Sequence, residues 1–94
     1  MKTFTAFRPN VPDTHDHYQK NDPDSPQYEG CVFTDGTVAL RWLTVCRSTS
    51  LWATLDDMLR VHGHPEYGTY LMWHTEPASL PDWFVEASAH QRAA

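Results

Sequence analysis

The dipeptide Asp35-Gly36 stands between two runs of β-prone residues, Tyr28 to Phe33 and Thr37 to Thr44. Aspartate followed by glycine suits a two-residue type I′ turn, in which both turn residues take a positive φ. The spacing predicts a β-hairpin over residues 29–44 and fixes a register for it. With Asp35 and Gly36 as the turn, Thr34 faces Thr37, Phe33 faces Val38, Cys31 faces Leu40 and Glu29 faces Trp42. Period-two alternation then gathers Cys31, Phe33, Val38, Leu40 and Trp42 on one face. The opposite face holds Val32, Ala39, Arg41 and Leu43, a mixed set that predicts a half-covered surface.

Downstream, Thr49 to Ala53 reads as a strand leading directly into a helix. Thr54 has the side chain of an N-cap, and Asp57 follows three residues later, where negative charge favours a helix start. Leu55, Met58, Leu59 and His62 fall at i, i+3, i+4 and i+7, so the helix spans 55–62 with one apolar stripe. Gly63 supplies a C′ stop, supported by Pro65. A further strand over 69–74 lies between Gly68 and Pro77, and Pro81 opens a second helix over 81–89 with Leu80, Trp83, Phe84 and Ala87 on one side. Lys2 to Phe7 alternates as an edge strand would. Residues 8–27, rich in Pro, Asp and His, form an irregular arm. The whole is one α+β domain over residues 1–94, a mostly antiparallel sheet with one or two helices on one face.

Composition narrows the function classes. In a chain of 94 residues the core positions are few, and four Trp, four Tyr and four Phe compensate with bulk. The formal charge of −5 is spread along the chain, and the seven Lys and Arg are scattered, which disfavours a nucleic-acid backbone as partner. No apolar run has the length of a membrane span, and Met1 to Thr5 lacks the apolar stretch of a secretory signal, so a cytoplasmic location is expected and a membrane partner is not. In a reducing compartment Cys31 and Cys46 are expected to be small buried apolar residues rather than a bridge.

Six histidines include the pairs His15-Asp16-His17 and His62-Gly63-His64. Two imidazoles with Cys31, Cys46 or a carboxylate could hold zinc, but the spacing lacks the Cys-x₂₋₄-Cys or His-x₃₋₅-His signature. The simpler reading leaves His15 and His17 solvated and puts His62 and His64 at a helix end, where a cationic ring complements carbonyls. Neither Cys46 nor Ser48 nor Ser50 sits in a nucleophile elbow, and the adjacent Asp56 and Asp57 diverge on a helix, so no catalytic set is expected. Gly30, Gly36, Gly63 and Gly68 are separate turn or cap residues, not a phosphate loop. No cofactor is expected. Arg41, Trp42, Arg47, Trp52 and Trp73 remain as candidate binding residues, because Arg and Trp dominate interface hot spots. The competing reading makes the Trp rings core and the Arg stems its cover.

Four segments carry a resemblance: Asp35-Gly36-Thr37-Val38-Ala39-Leu40-Arg41-Trp42-Leu43-Thr44, Arg47-Ser48-Thr49-Ser50, Leu55-Asp56-Asp57 and Val61-His62-Gly63-His64. Over residues 28–74 the chain resembles a group of short proteins of actinobacteria and their bacteriophages. The resemblance lends no catalytic residues. It implies a small phage-encoded accessory protein acting in a bacterial cytoplasm. The expectation is therefore a noncatalytic interaction protein that binds a host protein, such as a defence or regulatory component, and blocks it. Homodimerisation through an uncovered sheet edge is a further expectation. From a different class comes a small metal-binding or nucleic-acid-binding domain, using the His pairs or the Arg/Trp face.

Overall fold

A computed structural model describes residues 1–93. The hairpin forms from β2 (Tyr28–Val32) and β3 (Val38–Trp42), but on a different turn from the one expected. The Phe33 N–H donates to the Thr37 carbonyl at 2.8 Å, and the Gly36 N–H to the Phe33 carbonyl at 2.9 Å. Three residues thus make the loop, Thr34, Asp35 and Gly36. A type I′ turn would need positive φ at both Asp35 and Gly36, and only Gly36 has it, at 89°. The Asp35 side chain instead accepts hydrogen bonds from the Thr37 N–H at 3.0 Å and hydroxyl at 2.7 Å. These bonds hold its carboxyl below the ordinary aspartate range.

The extra loop residue shifts the register by one. Val32 now faces Val38, Cys31 faces Ala39, Gly30 faces Leu40, Glu29 faces Arg41 and Tyr28 faces Trp42. A one-residue slip turns a strand over. Val38, Leu40 and Trp42 keep the face expected of them, while β2 exchanges its sides: Tyr28 and Val32 join them, Cys31 leaves, and Phe33 lies exposed beyond the strand.

Strands β1 (Lys2–Phe7), β4 (Thr49–Trp52) and β5 (Tyr70–Trp73) complete an antiparallel sheet in the order β4-β3-β2-β1-β5. One face carries Phe4, Ala6, Tyr28, Val38 and Leu40, all fully buried. Helix α1 (Leu55–His62) covers it with Leu55, Met58 and Leu59, and α2 (Asp82–Ala93) with Phe84, so the α+β architecture stands with both helices on one side. The Thr54 hydroxyl caps α1 by accepting the Asp57 N–H at 3.0 Å. The helix stops at His62, but Gly63 is right-handed (φ −70°), and positive φ falls instead on His64 (φ 37°). Gly63 matters for space: a Cβ there would stand 3.0 Å from the Phe84 ring and collide with the Leu59 carbonyl. A 3₁₀ turn, Pro65–Tyr67, leads to β5. Helix α2 runs past the expected 81–89, and Trp83 docks it on α1 by donating from its indole to Asp56 and lying under Arg60, 4.2 Å from the ring centre.

The arm, residues 8–27, is a series of turns that pack on the domain. Buried Gln27 and half-buried Asn21 bond reciprocally, each side-chain or backbone bond at 2.9 Å, and the Asn21 side-chain amide donates on to the Pro26 and Leu43 carbonyls. The Cys46 N–H donates to the Tyr18 carbonyl at 3.2 Å, and the Asn10 N–H to the Tyr67 carbonyl at 2.8 Å. Both cysteines are free thiols, but neither is buried. The register moves Cys31 to the open side, where it is half-buried, and Cys46 is exposed in the loop after β3. No helix among the described residues is long and apolar enough to cross a membrane.

Candidate functional site

The second face of the sheet has no helix over it. Across its middle run Leu51, Ala39, Cys31 and Thr3, and beside them Thr49, Arg41, Glu29, Thr5 and Met72. Leu51 is 78% exposed and Met72 51%, large values for apolar side chains in a sheet. A cleft of about 430 Å³ opens here, lined by Thr3, Glu29, Cys31, Arg41, Thr49 and His74 over a floor formed by Gly30 and Ala39. Small side chains on three adjacent strands make the hollow. Gly30 is required by the other face, since a Cβ there would come within 2.6 Å of the Phe4 ring.

Polar groups converge on this hollow. Arg41 stands directly opposite Glu29, yet its Nε donates to the Thr49 hydroxyl at 3.1 Å, and no Glu29–Arg41 ion pair is present. The guanidinium is exposed and leaves other donors open to a ligand. His74 follows β5 and is fixed by its own N–H, which donates to the Thr3 carbonyl at 3.0 Å. Its Nδ1 lies 3.3 Å from the Thr3 hydroxyl and its Nε2 makes a short contact with the Thr5 hydroxyl. In a neutral imidazole one nitrogen donates and the other accepts, so one threonine receives a hydrogen bond and the other gives one. Such a set can bind an anionic group through Arg41 and relay a proton through His74.

The five residues singled out from the sequence do not form one site. Arg41 is on the open face. Trp42, Trp52 and Trp73 lie on the covered face, half-buried and packed against the core cluster. Trp73 meets Phe4 edge-on at 5.2 Å, and Trp52 and Trp42 meet the His62 ring edge-on at 5.4 and 5.3 Å. Arg47 is exposed in the loop between β3 and β4. Glu29, Thr3, Thr5 and His74 were not singled out. Thr3 and Thr5 are on β1, Glu29 on β2 and His74 just after β5, and only the pairing of β1 with both β2 and β5 brings them together.

The histidine pairs also separate. His62 lies between Trp42 and Trp52, and burial, with Arg8 and His64 nearby, lowers its pKa below the ordinary value. His64 stacks on Tyr67 and pairs with Glu66 at 2.7 Å, while His15 and His17 remain in the arm. Among the described residues no group of three His, Cys, Asp or Glu gathers in a way that could hold a metal.

A family model described as "Acb5 phage protein" matches residues 28–75. The chain belongs to this family of phage proteins. The matched segment covers β2 to β5 with α1, and so holds Glu29, Cys31, Arg41, Thr49 and His74 of the open-face cleft. Strand β1 and the arm lie outside it. No match was found among curated proteins or among solved structures.

Proposed function

We propose that this phage-encoded protein modulates a component of its bacterial host, as a modulator of the anti-CBASS type that the family designation suggests. In this reading it acts in the host cytoplasm, in an actinobacterial host, by binding a host protein and occluding it without turnover. The observation that carries the reading is the uncovered sheet face. A five-stranded sheet presents one side with a hollow, an exposed Arg41 and apolar Leu51 and Met72 at its flanks. Exposed apolar side chains gathered on one face mark a surface that a partner covers, and Met and Arg are among the residue types enriched there.

A second reading is favoured by His74. A histidine held between two threonine hydroxyls in a hollow with Arg41 and Glu29 also suits a small anionic molecule, bound or chemically altered there. One experiment tests both. Host extract is divided by size, and the purified protein is added to each fraction. Under the first reading it forms a stoichiometric complex with a macromolecule, which Met72→Asp and Arg41→Glu abolish and His74→Asn leaves intact. Under the second, a small molecule disappears from the low-mass fraction and His74→Asn stops the loss. If Met72→Asp and Arg41→Glu change neither result, the open face is not the working surface.

A further inference from the structure

Arg8 follows β1 on the helix side of the molecule and is only 6% exposed. A guanidinium carries five N–H donors. Nη2 donates to the His62 carbonyl at 2.6 Å, whereas the buried Nε has no acceptor. Three rings surround the cation, Trp42 at 4.9 Å, Tyr28 at 5.4 Å and Tyr67 at 5.5 Å. These faces and the carbonyl at the end of α1 offset part of the charge. No carboxylate among the described residues forms an ion pair with it. A buried cation is normally matched by an anion; here Glu66 acts on it only from a distance, its carboxylate being paired with His64, and Asp13 and Asp22 line a separate cleft that Arg8 also borders.

The same guanidinium lines a cleft of about 320 Å³ between the arm and the β3–β4 loop, with His15, Tyr18, Trp42, Thr44 and Ser48. In a chain of net charge −5, this cleft has no Asp or Glu in its lining. Ser48 and His15 add hydrogen-bonding side chains to the lining, and Trp42 adds an aromatic one. The buried cation without an ion-pair partner and the acid-free lining call for the same chemistry. We infer that the Arg8 cleft binds an oxyanion, a phosphate or carboxylate group carried by a small ligand, with Arg8 as its charge partner. The site is on the side of the sheet opposite the open-face hollow, and it stands whichever partner that hollow takes.

The test titrates the full chain with sodium phosphate and, separately, sodium acetate, at ionic strength held constant with chloride. Tryptophan fluorescence and amide NMR shifts are the readouts. A saturable response is expected, with the largest shifts at Arg8, Trp42 and Ser48, and with a melting temperature that rises with the bound anion. Saturation by phosphate alone assigns a phosphate-bearing ligand, and by acetate alone a carboxylate. Arg8→Lys, which keeps the charge but loses the fork, should weaken binding at least tenfold, and Arg60→Gln, outside the lining of either cleft, should leave it unchanged. If Arg8→Lys does not fold, Ser48→Ala and His15→Gln carry the comparison, each expected to weaken binding several-fold. No saturable response beyond chloride, shifts confined to Arg41 and His74, or unaltered affinity in these variants would overturn the site.

Discussion

The two faces of the sheet use the same strands for opposite ends. On the covered face, alternate positions carry Phe4, Tyr28, Val38 and Leu40, each fully buried under the helices. One residue along each strand, the open face carries Thr3, Glu29, Ala39 and Arg41, with side chains too small or too polar to make a core. The first face holds the fold together by removing apolar area from water, and the second leaves hydrogen-bonding groups exposed to solvent. If the open face is the working surface, as proposed, stability and function are separable by substitution, side against side.

The sharpest way to break that contrast is to empty the covered face. Phe4→Ala removes a fully buried ring beneath Trp73 and should cost about 3–5 kcal/mol in urea unfolding. A loss under 1 kcal/mol would mean that the helices do not depend on this face. Gly30→Ala comes next, since it affects both sides at once: its methyl would meet the Phe4 ring at 2.6 Å and the Ala39 carbonyl at 2.7 Å. Overpacking of this kind should cost about 1–3 kcal/mol, seen as a lowered denaturation midpoint. At the turn, Gly36→Val should cost about 1–2 kcal/mol, because a β-branched residue is forced to a φ of 89° although the space around it is open. An unchanged melting temperature there would contradict the three-residue loop.

His62 offers a smaller, pH-dependent effect on the covered side. Its pKa is lowered in the folded chain from an ordinary 6.5, chiefly by burial and then by Arg8 and His64. The unfolded chain therefore binds the proton more readily, and stability is complete above pH 6.5 and declines as pH falls through the lowered value. Melting curves between pH 7 and pH 5 should show that decline, and His62→Gln should flatten it. Asp35, lowered by its Thr37 hydrogen bonds, acts only below the ordinary carboxylate range and does not confuse this window. The smallest stability effect belongs to the open face. Arg41→Gln should change unfolding by less than about 0.5 kcal/mol, so that any activity it removes reflects a lost contact rather than a lost fold. A larger destabilisation would show that the open face also carries the structure.

Much of the element order was legible because it rests on local signals. The stripe at Leu55, Met58 and Leu59 and the Thr54 cap define α1 over 55–62, and alternation in Lys2 to Phe7 marks β1. The hairpin register was not legible from Asp35-Gly36 alone. An aspartate that accepts hydrogen bonds from Thr37 stabilises a longer loop, and the dipeptide reads the same in either turn. The single extra residue decided which side of β2 faces the core, and with it the place of Cys31. The open-face hollow was hidden for another reason. His74 reaches Thr3 and Thr5 across about seventy residues of chain, a proximity created only by strand pairing. Tryptophan, weighed as an interface residue, went mostly to the core of a chain with few apolar positions to spare.

The arm between β1 and β2 is in effect a very long hairpin connection, closed at its base by the mutual Asn21–Gln27 amide bonds. Closing a flexible loop costs entropy that grows only with the logarithm of its length, roughly 0.6 kcal/mol for each doubling. With the base pinned, lengthening the segment from Pro9 to Lys20 adds little closure entropy, so its tolerance to change rests on keeping the Asn10–Tyr67 and Tyr18–Cys46 backbone hydrogen bonds. The arm lies outside the family segment of residues 28–75 and supplies His15 and Tyr18 to one wall of the Arg8 cleft, so that wall can be altered by substitution while β2 to β5 stay as they are.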